Sequence, residues 1–138
     1  MNWLLFLMVL IQVESGGDKT VIGDQKLKHH AYGVCQIRAP YLEDVNRIAH
    51  TRYTLGDIAD SEILSRRAVL LYVGYYGALY TKQTGKPLTM EVAARIHNGG
   101  PDGWKRSATD AYWRKFQRVL NQMTEDAPAP DGVLSRQP

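Results

Sequence analysis

A mainly α-helical domain with one small β-hairpin, α+β in class, is what this sequence predicts. Three observations carry that prediction. Five stretches are bounded by helix-start and helix-stop residues, and the longest repeats apolar residues at three- and four-residue steps. One turn-rich segment leads into a compact apolar return. At 138 residues the chain is one domain, and 44% hydrophobic with 22% charged residues excludes wholesale disorder.

The first helix is expected from about Asn2 to Ser15, with Gly16-Gly17 as its stop. Residues Asp18 to Ala31 are polar and rich in turn formers, and they read as loop with the short hairpin. Tyr32-Gly33-Val34-Cys35-Gln36-Ile37 is the buried return. Pro40 suits the first turn of a second helix that reaches about His50, because the N–H it lacks is unpaired there anyway. Thr51 to Asp60 reads as a polar connection. Ser61 caps the longest helix, Glu62 to Thr84, whose expected core stripe is Ile63, Leu64, Ala68, Leu71, Tyr75, Ala78 and Leu79. Thr89 caps a helix from Met90 to about His97, and a last helix spans about Thr109 to Met123. The folded domain is therefore expected over 1–124, and the Pro-rich tail 125–138 is expected to be disordered.

Seventeen basic and fourteen acidic residues give a net charge of +3, with a pI near 9.0. That suits an anionic surface or polymer. The basic residues are scattered over several elements, which argues against a nucleic-acid partner. Cys35 is the single cysteine, so the chain can form no internal disulfide, which fits folding in a reducing cytoplasm. Trp3 to Ile11 (WLLFLMVLI) has the apolar character of a secretory signal. However, no Lys or Arg precedes it, no small-residue cleavage site follows it, and it is about half the ~20 residues that span a bilayer. It is read as a buried first helix, with no integral membrane segment.

Glu14 is the first candidate for chemistry. At the C-terminal end of an apolar helix, desolvation and the helix's partial negative end both penalise its carboxylate form, as a general acid requires. Asp24, in the loop that follows, is the second. Glycoside hydrolysis commonly uses two carboxyl groups flanking the bond. Asp18 lies nearer along the chain, and Asp24 equally suits a turn residue. Asn98-Gly99-Gly100 follows a helix directly, where glycines admit a close ligand and Asn98 offers both donor and acceptor. It equally reads as a helix stop with a tight turn. Trp104, Tyr112 and Trp113 have faces suited to sugar rings or to a core. The adjacent His29 and His30, and the isolated His50 and His97, have no zinc-like spacing, so no metal and no cofactor are expected. Cys35 in GVCQI reads as a buried, inert thiol.

Three segments together resemble the invertebrate-type lysozymes. These are Val13-Glu14-Ser15-Gly16-Gly17, Tyr32-Gly33-Val34-Cys35-Gln36-Ile37, and Ala94-Arg95-Ile96-His97-Asn98-Gly99-Gly100-Pro101-Asp102-Gly103-Trp104, in that order. The closing Ser107-x-Thr109-x-x-Tyr112-Trp113 is similar as well, and the first two segments also resemble lytic transglycosylases and goose-type lysozymes. The likeness spans roughly residues 10 to 117.

The resemblance implies a lysozyme-like fold and a muramidase that cleaves the β-1,4 bond after N-acetylmuramic acid in peptidoglycan. By it, Glu14 matches the general acid and Asp24 is the nearest acid to the family's second carboxylate, which a straight count would place on Lys26. Ser15, Tyr32, Gln36, His97, Asn98, Gly99 and Trp104 are the expected substrate-binding residues. The implied partner is the peptidoglycan glycan strand, bound by a monomer. A lytic transglycosylase and a non-catalytic wall-binding module are the alternatives. The animal members are disulfide-rich, whereas this chain has Cys35 alone. That departure, with no evident cleavable signal, implies a bacterial or bacteriophage relative made in the cytoplasm and acting on the cell wall, an endolysin being one possibility. Residues 2 to 13 are then expected to belong to the fold.

Overall fold

The computed structural model describes residues 1–127. Six α-helices follow in order: α1 Trp3–Ser15, α2 Ala39–Ala49, α3 Leu55–Asp60, α4 Glu62–Thr84, α5 Met90–Gly99 and α6 Asp110–Glu125. Two short 3₁₀ turns, Gly103–Lys105 and Ser107–Thr109, join α5 to α6. The expected tail lies outside the described residues from 128 onward.

The helices begin and end where side chains satisfy their free backbone groups. Asn2 accepts from the Leu5 N–H at 3.0 Å, and Ser61 accepts from the Leu64 N–H at 3.2 Å. Gly16 and Gly85 close α1 and α4 with φ of 63° and 72°, which glycine adopts without a Cβ penalty. Helix α1 is apolar almost all round and is buried on Phe6, Leu7, Val9, Leu10, Ile11 and Val13. It packs on α6, while α4 meets α2, α3 and α5. The Phe6 ring lies 5.6 Å from that of Phe116, and both are fully buried. Burying a side chain of this size contributes about 1.5–3 kcal/mol.

Three features differ from the sequence expectation. Within Thr51 to Asp60, the segment Leu55–Asp60 forms α3, started by a reciprocal pair of hydrogen bonds between Thr54 and Asp57. The hairpin shrinks to two isolated antiparallel bridges, Gly23 with Ala31 and Tyr32 with Ile37. The core stripe of α4 is also rotated. Ile63, Tyr75 and Leu79 are exposed, and the buried residues are Ser65, Ala68, Val69, Tyr72, Val73, Gly77 and Tyr80. Small residues set that rotation. The Ser65 hydroxyl accepts from the Cys35 N–H at 3.2 Å, and a Cβ at Gly77 would overlap Leu88.

Candidate active site

Four helices converge on the Glu14 carboxyl group. Glu14 is the next-to-last residue of α1, with its side chain 18% exposed. Its Oε1 accepts from the Tyr112 hydroxyl of α6 at 2.7 Å and lies 3.2 Å from Nε2 of His97 in α5. Nδ1 of His97 is 3.0 Å from the hydroxyl of Tyr41 in α2. With the Tyr41 O–H donating to Nδ1, the imidazole proton sits on Nε2 and points at Glu14. That tautomer is assigned from the hydrogen-bond network. Burial holds both the Tyr41 and the Tyr112 hydroxyl well above the ordinary phenol range, so both keep the proton they donate.

Oε2 takes no hydrogen bond from the described residues and is not buried. Both donors therefore engage one oxygen and leave the other open. A carboxyl group held in this way presents Oε2 to whatever enters the cleft. The cleft has a volume of about 710 Å³ and is lined by Glu14, Asp24, Gln36, His97 and Asn98 among others.

Asp24 reaches the same cleft by a different route. The preceding Gly23 exchanges two backbone hydrogen bonds with Ala31, of 3.0 and 2.9 Å. The Gln36 amide donates to the carbonyls of Val21 at 2.9 Å and Gly33 at 3.1 Å, which ties the loop to the return segment. A Cβ at Gly23 would overlap Oε1 of Gln36, so a larger residue there would displace the glutamine amide that ties the loop down. Asp24 itself has φ of 56°, a conformation that Asp tolerates better than most residues. Its Oδ2 pairs with Nη2 of Arg38 at 2.6 Å.

The cleft thus gathers five of the nine residues singled out in the sequence. Ser15 lies outside it. Its hydroxyl donates to the Val34 carbonyl at 2.8 Å and locks the end of α1 to the return segment. Tyr32 pairs its backbone with Ile37. Gly99 abuts the Thr109 methyl, where a Cβ would not fit. Trp104 lines a separate depression on another face. Cys35 is fully buried, and burial pushes its thiol up to about 12, so it is no nucleophile. Sequence reasoning missed Tyr41 and Arg38 altogether, and it left Tyr112 divided between sugar face and core. Only the spacing of Tyr112 in the closing motif hinted at its place. Nothing local marks Tyr41, because its role depends on how α2 packs against α5.

No family model matches the chain. It is 45% identical over 49 residues to the lysozyme of Meretrix lusoria, a segment that covers 36% of this chain and 40% of that protein. With the invertebrate-type lysozyme of Ruditapes philippinarum it shares 29% identity over 113 residues, which is 82% of this chain and 78% of the relative. The crystal structure of inhibitor-bound lysozyme from Meretrix lusoria matches with a TM-score of 0.66 and 30% identity, covering 83% of this chain and 88% of that one.

The chain belongs to the invertebrate-type lysozyme family.

The lysozyme-like, mainly helical fold is borne out, and so is the expectation of a lysozyme-class glycoside hydrolase. Two expectations about origin are corrected. A cytoplasmic origin is overturned, because the relatives are secreted bivalve lysozymes that act outside the cell. The bacterial or bacteriophage source receives no support, since these relatives come from molluscs. Both readings rested on the missing disulfides and on the lack of an evident cleavable signal, and a single cysteine sets neither compartment nor source when a buried core carries the fold.

Proposed function

We propose that this lysozyme-family chain is a muramidase that hydrolyses the β-1,4 bond between N-acetylmuramic acid and N-acetylglucosamine in peptidoglycan. Glu14 is the general acid, and Asp24 is the second carboxylate. The observation that carries this reading is the division of labour on Glu14: Oε1 engaged by Tyr112 and His97, Oε2 open in a cleft that Asp24 also lines.

In the proposed reaction Glu14 donates its Oε2 proton to the glycosidic oxygen as the C–O bond breaks. Positive charge develops at the anomeric carbon, and the Asp24 carboxylate stabilises it as nucleophile or by charge. Water completes hydrolysis at that carbon and returns a proton to Glu14. Tyr112 and His97 hold the carboxyl group in one orientation throughout. Asn98 offers donor and acceptor to an acetamido group.

One observation favours a second reading. Asp24 is engaged by Arg38 at 2.6 Å, so a one-carboxylate mechanism, in which the muramic 6-hydroxyl closes on the anomeric carbon, has a structural argument. Mass spectrometry of purified peptidoglycan digested with this protein separates the two. Reducing-end muropeptides are the expected result. Anhydro-ended products identify a lytic transglycosylase, and no released sugar identifies a wall-binding module.

A further inference from the structure

Helix α5 serves two surfaces. Arg95 and His97 are two residues apart, so at about 100° per residue their side chains leave the helix on roughly opposite sides. His97 goes to the Glu14 cleft. Arg95 forms the floor of a second depression of about 500 Å³, walled by Trp104 and rimmed by Lys86 and Arg106. Trp104 was singled out in the sequence as a sugar-binding aromatic, and the first cleft leaves it unused.

The depression is preformed. Arg95 is only 14% exposed, pairs with Glu91 at 3.0 Å and with Asp110, and donates to the Thr109 hydroxyl at 3.1 Å. It thereby occupies both carboxylates of the site. A Cβ at Gly103 would collide with the Arg95 carbonyl oxygen, so the 3₁₀ turn lies directly on α5 and fixes where Trp104 stands. The half-buried indole rests edge-to-face on Tyr80, with ring centroids 5.0 Å apart. Lys105 lies 5.5 Å over the indole and 3.4 Å from Asp102, exposed contacts that a ligand can displace. Lys86 and Arg106 make no ion pair among the described residues. What remains is an aromatic wall beside two unpaired cations.

We propose that this depression is a second carbohydrate site, which takes a pyranose ring against Trp104 and the ring's anionic substituent on Lys86 and Arg106. Indole presents an apolar face to sugar C–H groups, and the cations answer a carboxylate or a phosphate. The choice of a wall glycan as the ligand rests on the proposed function. Two sources offer this chemistry: the lactyl-peptide carboxylates of peptidoglycan, and a phosphate-bearing wall polymer. A chain held here leaves the catalytic cleft free, so the site keeps the enzyme on an insoluble wall between cleavages.

The test is an NMR titration of full-length Glu14→Gln protein with a disaccharide-tetrapeptide muropeptide, and separately with inorganic phosphate. The Trp104 indole N–H reports the second site, and the Asn98 side-chain amide reports the catalytic cleft. We expect both to shift saturably with muropeptide. Replacing Lys86 and Arg106 together by Ala should weaken the Trp104 response by about tenfold, which corresponds to about 1.4 kcal/mol. The same double variant of the otherwise wild-type chain should cleave a short soluble oligosaccharide at the wild-type rate and bind whole wall more weakly. Raising the salt concentration should weaken the Trp104 response further. A Trp104 shift with phosphate alone keeps the site and assigns it to the phosphate polymer. A Trp104 shift while Asn98 stays still keeps the site and removes the proposed catalytic reading. A shift of Asn98 alone overturns the second site, as does a Trp104 response unchanged in the double variant. No shift of either group overturns both.

Discussion

Glu14 projects from the end of a helix with six buried residues, whereas Asp24 rides on a loop tied by one backbone bridge, one glutamine amide and the exposed Lys19 ammonium on the Asp60 carbonyl. The acid's donors come from α5 and α6 and are themselves enclosed by packing. The aspartate's partner is the exposed Arg38, with 45% of its side chain in solvent. One carboxyl group is fixed by the core and the other by a surface ion pair. The contrast suits the two roles proposed for these groups. A proton donor must meet one oxygen at hydrogen-bond distance, and a pre-organised shell secures that. A group that stabilises spreading charge acts through a field and tolerates adjustment as the glycan enters.

The contrast can be broken from either side. Asp24→Asn should lower kcat on purified peptidoglycan by about 10²-fold, the scale of one lost electrostatic stabiliser. If reducing-end release survives unchanged, the loop carboxylate has no catalytic part and the one-carboxylate mechanism stands. Tyr112→Phe should cost less, about tenfold in kcat with KM unchanged, since one hydrogen bond to the protonated, uncharged carboxyl group is worth about 0.5–1.5 kcal/mol and His97 still holds Oε1. A change in KM alone would make Tyr112 a sugar contact and undo its role in orienting the acid.

Ser15→Ala sharpens the comparison at the junction of the two halves. Its hydroxyl bond to Val34 ties α1 to the return segment, so urea denaturation should show a loss of about 1 kcal/mol, with KM untouched. A raised KM with full stability would restore Ser15 to the substrate-binding set.

The smallest effect concerns alkaline stability. Burial moves the Cys35 thiol from 9.0 up to about 12 and holds Tyr41 and Tyr112 well above 10.0. The folded state therefore keeps protons that the unfolded chain loses first. Stability from these groups is complete below about pH 9 and drains away as pH rises towards 12. Melting curves should show a flat Tm up to about pH 9 and a decline beyond it. A Tm that rises between pH 9 and 11 contradicts the buried, protonated arrangement.

What the sequence made legible follows the same division. Helix α4 was readable to the residue at both ends, because Ser61, Gly85 and Pro87 act locally. Its buried face was not, since that depends on where Ser65 and Gly77 meet other elements. Helix α3 was hidden because six residues carry too little periodicity to declare a helix, although Thr54 and Asp57 have the spacing of a start. Glu14, Asp24, Gln36, His97 and Asn98 were reachable through motif resemblance and do share a cleft. Ser15, Tyr32 and Gly99 stand in the same motifs for reasons of packing. Motif membership cannot separate a residue that touches a ligand from one that lets the backbone close around it. Tyr41 and Arg38 were invisible because their partners lie 56 and 14 residues away.

The most direct test is a structure of Glu14→Gln bound to a peptidoglycan oligosaccharide. The scissile glycosidic oxygen should lie about 3 Å from the open arm of residue 14. The other arm should still be held by Tyr112 and His97, with Asp24 across the anomeric carbon. An oligosaccharide seated with its scissile linkage out of reach of residue 14 would rule out Glu14 as the proton donor.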